Sequence, residues 1–145
     1  MMVATPNKQA CYAAAMRMLV RREHSVLELT QKLSNKEFEQ VEISEAINTL
    51  IEKNYQSDER FADEFIQMRF NQGKGPIKIR ADLKQRGIDQ FDLTGFDFYL
   101  LAYQIRERKF GKEMPSNFKE KAKQQRFLQS RGFSFEHINQ SFKVT

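Results

Sequence analysis

Apolar residues recur along this chain at spacings of three and four, the period of an amphipathic helix and not the alternation of a strand. Tyr12, Met16 and Leu19 share one face of a predicted helix over roughly 9–22. Phe61, Phe65 and Met68 define a second helix that opens at Ser57-Asp58-Glu59, a capping hydroxyl followed by acids in the first turn. Leu100, Leu101 and Ile105 mark a third, from near Asp97 to Phe110, where Gly111 stops it. Alternating runs of Val, Ile and Thr are almost absent, so the expected fold class is all-α.

Between these helices one short pattern occurs three times without gaps. The copies are Leu33-Ser34-Asn35-Lys36-Glu37-Phe38, Leu83-Lys84-Gln85-Arg86-Gly87-Ile88 and Leu128-Gln129-Ser130-Arg131-Gly132-Phe133, with their leucines 50 and then 45 residues apart. Five residues beyond each closing apolar residue stands another, Ile43, Leu93 or Ile138. Each copy reads as the end of one helix, a turn and the start of the next. Arg86 and Arg131 place a cation against the negative end of a helix, and Gly87 and Gly132 take the left-handed conformation that closes it. Glu37 stands where the glycine belongs in the first copy, so that turn is either built differently or strained. Three helices per copy, about nine in all, predict three tandem three-helix repeats over 1–55, 56–96 and 97–145. The expected arrangement is elongated or curved and modular, because repeats of this size bury too little surface to stand alone.

The stretch Gly73-Lys74-Gly75-Pro76 invites comparison with a nucleotide-binding loop, but the G-x-x-x-x-G-K-[ST] pattern is not met. Gly75-Pro76 aligns, 50 residues on, with Ser25-Val26, and Ser25 with Glu28 forms a capping box, so both places are helix N-termini. Pro76 then occupies a first-turn position where its missing amide costs no hydrogen bond. Two glycines at a helix start retain some capacity to hold a phosphate through amides, although Pro76 removes one donor. A plain connecting loop is the favoured reading.

Composition narrows the function. The 145 residues are 40% hydrophobic and 30% charged, with 13 Phe and no Trp, a globular composition. The longest apolar run, Ala10 to Met16, falls far short of the roughly 20 residues that span a bilayer. It also makes a poor signal peptide, so no membrane association is expected. Cys11 is the only cysteine and reads as a buried structural thiol, which points to a reducing, cytoplasmic compartment. His24 and His137 lie far apart, no zinc-site spacing occurs, and no nucleophile-base set can be assembled. Asp58, Glu59, Asp63 and Glu64 read as a solvated face at a helix start. Neither an enzyme nor a cofactor is expected.

The net charge of +5 is unevenly placed. Residues 1–22 hold four bases and no acid, residues 23–65 hold 11 acids against four bases, and residues 66–131 hold 15 bases against seven acids. A basic half this pronounced points to an anionic partner, most often nucleic acid, and the acidic segment points to a second partner surface. The candidate binding residues are Arg69, Lys74, Lys78, Arg80, Lys84 and Arg86, followed by Arg106, Arg108, Lys109, Lys123, Arg126 and Arg131. The phenylalanines, at helical spacing, are assigned to the core in preference to base stacking.

Taken together, Ser57-Asp58-Glu59-Arg60-Phe61-Ala62, Gly73-Lys74-Gly75-Pro76, Lys84-Gln85-Arg86-Gly87-Ile88, Lys109-Phe110-Gly111 and Arg126-Phe127-Leu128-Gln129-Ser130-Arg131-Gly132-Phe133 closely resemble the RecX regulatory proteins of bacteria over about residues 11–142. The resemblance implies a non-enzymatic protein that binds the RecA filament on single-stranded DNA, lies in its groove, inhibits its recombinase, ATPase and co-protease activities and can also bind DNA directly; a monomer is expected. Glu37, the pair Asn54 and Gln56, and the helix interrupted by Thr94-Gly95 depart from the family pattern. The alternative is a stand-alone DNA-binding protein with helix-turn-helix-like repeats. A scaffold without nucleic-acid contact is a third, weaker reading.

Overall fold

The computed structural model describes residues 4–143, so the outer ends of the first and third expected repeats lie outside the described residues. Eight helices and no strand are found among the described residues: α1 (Ala4–Arg21), α2 (Val26–Asn35), α3 (Gln40–Glu52), α4 (Asp58–Asn71), α5 (Pro76–Gln85), α6 (Phe98–Phe110), α7 (Phe118–Ser130) and α8 (Phe135–Gln140). The all-α class read from periodicity is the class observed. The chain divides into two compact units, Met1–Phe65 with Leu83–Phe91, and Ile66–Asp82 with Asp92–Thr145.

In the first unit α1 packs chiefly on α3, with α2 against both. Its core joins Cys11, Ala14 and Ala15 of α1 to Leu29 and Leu33 of α2 and to Ile43, Ala46, Ile47 and Leu50 of α3. The face expected from Tyr12, Met16 and Leu19 flanks this core and is only partly buried. Small side chains occupy the centre of the contact because they let two helix backbones approach closely. Burial, reinforced by the Glu42 carboxylate, pushes the Cys11 thiol up from its ordinary value and leaves it an inert packing group.

The N-terminus of α2 is secured twice. Ser25 Oγ accepts the Glu28 amide at 3.1 Å while the Ser25 amide donates to the Glu28 carboxylate at 3.2 Å, the capping box seen in the sequence. From α4, Asp58 accepts the Val26 amide at 2.9 Å and the Gln56 side-chain amide at 2.9 Å. Asp58 is therefore a partner of α2 and not part of a solvated acid face. A free helix N-terminus with buried amides attracts a carboxylate more strongly than water does. Arg60 closes the same region, with Nε 2.6 Å from Glu23 and Nη2 donating to the carbonyls of Asn54 and Tyr55 at 3.1 Å each.

The threefold turn is repeated bond for bond. The amides of Glu37 and Phe38 donate to Ser34 and Leu33, those of Gly87 and Ile88 to Lys84 and Leu83, and those of Gly132 and Phe133 to Gln129 and Leu128, at 2.9–3.3 Å throughout. The pattern is the Schellman closure, which needs a left-handed residue at its second-last position. Glu37 supplies it at φ 70°, beside 78° for Gly87 and 95° for Gly132. The first turn is thus not built differently; an exposed glutamate is held in a glycine's conformation.

One of the nine expected helices is missing. After Ile88 the residues 89–96 form no helix, and Asp92 instead accepts the Thr94 amide at 2.9 Å and the Thr94 hydroxyl at 2.6 Å. That local side-chain turn competes with the first helical turn, and Gly95 follows it directly. In the second unit the buried hydrophobic residues are Ile66 and Ile79, then Phe98, Leu101, Ala102 and Ile105 of α6, with Leu128, Phe133 and Ile138. Phe70, Phe96 and Phe98 form an aromatic cluster with centroids 5.0–6.2 Å apart. The helix starts at Asp97 and stops at Gly111 as its sequence indicates.

Candidate nucleic-acid interface

Within the second unit, the last of the three turns meets the start of α5. The Gly75 amide donates to the Arg131 carbonyl at 2.7 Å and the Ile77 amide to the Gly132 carbonyl at 2.9 Å. The approach is close enough that a Cβ on Gly75 would stand 2.3 Å from the Gly132 carbonyl carbon, and one on Gly132 would stand 2.8 Å from the Lys78 amide nitrogen. Both glycines are required by space, and Gly132 by its φ as well. With these amides engaged and Pro76 offering none, the backbone of Gly75–Ile77 has no donor left for a phosphate. The favoured reading of this stretch as a connecting loop holds, and for a reason the sequence did not contain.

The same joint gathers side chains. Lys78, Arg131 and Arg69 all come within electrostatic reach of Lys74. Partial desolvation, followed by the neighbouring Arg131, Lys78 and Arg69 cations, holds the Lys74 ammonium below its usual range against the opposing effect of Asp82. Asp82 pairs with Arg69 at 3.5 Å, so one carboxylate stands among four cations. Cations gathered this closely favour the arrival of an anion.

Phe127 extends this surface. Arg131 lies over its ring at 5.3 Å and Lys109 at 5.5 Å, so a half-buried phenyl group links α6 and α7 cations to the joint. Sequence reading assigned the phenylalanines to the core and missed this role. The signal was present in the spacing: Phe127 and Arg131 are four apart, one turn of helix.

The remaining predicted residues separate into two kinds. Arg80, Lys84, Arg108, Lys123 and Arg126 are exposed on their helices, without a contact that draws them into the cluster. Arg86 belongs to the internal structure of the first unit, 3.6 Å from Glu28 and stacked over Phe65 at 4.7 Å. Arg106 must be removed from the set of surface cations. It is 0% exposed, donates through Nε to the Ser141 carbonyl at 3.0 Å and lies against the rings of Tyr103 and Phe142. Its place on the inward face of α6, next to Ile105 and one turn from Ala102, explains the burial.

Two histidines are the other titratable groups of note. His24 is buried, its Nδ1 3.0 Å from the Arg22 carbonyl and its Nε2 3.0 Å from Lys32 Nζ, which fits a neutral ring donating at Nδ1 and accepting at Nε2. Burial lowers its pKa, and the Arg22 and Lys32 cations add to that. Burial also lowers that of His137, which packs edge-on to Tyr99 at 4.5 Å. No group of three or more His, Cys, Asp or Glu residues able to hold a metal occurs among the described residues. No helix among them is long and apolar enough to cross a membrane.

Helices joined by a repeated closing turn, with a cationic face gathered at one such turn, define an all-α protein of tandem three-helix domains. Family models for the first, second and third three-helix domains of RecX match residues 11–50, 57–93 and 97–141, and the chain belongs to the RecX family. It is 39% identical to Regulatory protein RecX of Legionella pneumophila (strain Corby) over 138 residues, covering 91% of this chain and 92% of that one. It is 36% identical to Regulatory protein RecX of Pseudomonas fluorescens (strain SBW25), covering 96% and 94%. The crystal structure of RecX from Lactobacillus salivarius shares its fold, with a TM-score of 0.80 at 22% identity over 94% of each chain. The relatives carry the name of a regulator, and a RecX regulatory role is the one they support.

Proposed function

We propose that this chain regulates the RecA recombinase in the cytoplasm, binding as a monomer to the RecA filament on single-stranded DNA and inhibiting its strand exchange, ATP hydrolysis and co-protease activity. The observation that supports a nucleic-acid contact is the convergence of Lys74, Lys78, Arg131 and Arg69 on one joint of the second unit, with Lys109 joined through Phe127. In this reading those side chains meet DNA phosphate, while the acid-rich stretch 23–65 faces basic protein surface on the filament. Exposed Arg80, Lys84, Arg108, Lys123 and Arg126 add long-range attraction.

The test is RecA ATPase activity on single-stranded DNA, titrated with the protein and with Lys74→Glu/Lys78→Glu/Arg131→Glu. The wild-type chain inhibits at substoichiometric ratios, and the triple variant inhibits more weakly and with a smaller dependence on salt. Absence of inhibition by the wild-type chain, with tight binding to bare DNA, replaces this function with stand-alone DNA binding. Equal inhibition by both proteins removes the cluster from the contact.

A further inference from the structure

The first unit carries a second cationic feature, built from residues other than those of the proposed nucleic-acid contact. Between α1 and α2 runs an open groove of about 650 Å³. Arg17 and Arg21 line it from α1, Lys32 from α2 and Lys36 from the C-cap of α2. All four are exposed, and none forms an ion pair among the described residues; the polar contact of Lys32 is with His24 Nε2. No carboxylate lines the groove, although α2 stands in the acid-rich stretch 23–65. Its floor and lip are aliphatic or thioether, with Ala14 buried, Met18 half-buried and Val20 79% exposed.

The spacing makes this a designed helical face. Ala14, Arg17, Met18 and Arg21 fall at i, i+3, i+4 and i+7 on α1, and Lys32 of α2 stands four residues before Lys36 at its C-cap, so two cationic rows flank an apolar strip. A nucleic-acid strand finds phosphate partners here but no ring on which to stack a base, because no aromatic residue lines the groove. Aliphatic and methionine surface between rows of cations instead complements a peptide helix with leucine-like anchors on one face and carboxylates on its flanks.

We propose that this groove is a docking site for an acidic amphipathic peptide segment of a protein partner. It is a second interaction surface, carried by different residues from those of the cationic joint. The probe is a fluorescein-labelled synthetic peptide of about four helical turns, leucine at i, i+3, i+4 and i+7 and glutamate elsewhere, followed by fluorescence anisotropy with the full chain. The Glu/Leu peptide binds, while an all-glutamate peptide and a Lys/Leu peptide do not. Arg17→Glu/Lys36→Glu weakens binding by more than about tenfold, since like charges then face one another across the contact. Val20→Ser, at a site too exposed to affect folding, weakens it severalfold. Lys74→Glu/Lys78→Glu leaves it unchanged, which separates this groove from the proposed DNA contact. The proposal is overturned if the Glu/Leu peptide fails to bind or binds Arg17→Glu/Lys36→Glu as well as wild type. It is also overturned if an oligothymidylate displaces the peptide and loses the same affinity in that variant. Far-UV circular dichroism matching wild type keeps each loss a binding result.

Discussion

Replacing Gly75 by alanine strikes a place where two backbones of the second unit touch without any side chain between them. The new methyl carbon would stand 2.3 Å from the Gly132 carbonyl carbon and 2.4 Å from both its oxygen and the Phe133 nitrogen. None of these atoms belongs to a side chain that can rotate away. Ordinary contact requires a separation near 3.4 Å, so the two segments must part by about 1 Å. The bonds from Gly75 to Arg131 and from Ile77 to Gly132, now 2.7 and 2.9 Å, then stretch past useful length. Two lost backbone hydrogen bonds cost roughly 0.5–1.5 kcal/mol each. Overpacking adds about 1–3 kcal/mol, for a central value of about 4 kcal/mol. At roughly 2–4 °C per kcal/mol in a chain of this size, the melting temperature falls by about 10 °C. Thermal melts by circular dichroism measure the loss, and hydrogen exchange at the amide of Ile77 locates it. Gly95→Ala is the control, because nothing lies within 4 Å of its added Cβ, and it changes stability by less than about 0.5 kcal/mol. Oligonucleotide affinity falls with Gly75→Ala, since the same joint holds Arg131 beside Lys74 and Lys78. A Gly75→Ala protein that melts with wild type and keeps a slowly exchanging Ile77 amide refutes the reasoning.

Three further outcomes follow from other residues. Glu37→Gly relieves a left-handed glutamate and raises stability by about 1 kcal/mol in urea titrations, while Glu37→Val, branched at Cβ, lowers it. Both histidines have pKa values below the ordinary 6.5 in the folded chain, so below that pH the unfolded chain binds more protons than the folded one. Stability accordingly falls as pH drops from 7 toward 5, and His24→Gln/His137→Gln flattens that slope; an unchanged slope assigns it elsewhere. Lys74→Ala lowers the slope of log affinity against log salt for single-stranded DNA by about 0.7, whereas Arg106→Met leaves both affinity and slope unaltered. An Arg106→Met protein that folds but loses affinity returns Arg106 to the interface.

Much of the fold was legible because its signals are local. Ser25 with Glu28, the stop at Gly111 and the three turns are each written within six residues, and helix-end chemistry acts over that range. The ninth helix was lost to an equally local competitor, Asp92 with Thr94, which periodicity does not register. What sequence left hidden depends on residues distant along the chain. Asp58 reaches Val26 across 32 positions, and the need for Gly75 comes from Gly132. The charge count found the basic half but not its division: Arg106 and Arg86 are turned into their own units, while Arg131 and Lys74, 57 positions apart, are brought together. Whether a cation is displayed or consumed is decided by which helix face meets a neighbour, and composition carries no record of that.

The meeting of Gly75–Ile77 with Arg131–Gly132 also joins opposite electrical poles. The amides at the start of α5 belong to its positive end and the carbonyls that follow α7 to its negative end, so the two bonds set unlike partial charges against one another. With two of these amides spent on carbonyls, the positive potential at this corner rests chiefly on side-chain cations. A backbone pole is permanent, but a lysine ammonium can be covalently neutralised. Acylation of Lys74 or Lys78 would remove attraction for phosphate while leaving the two hydrogen bonds beneath it in place.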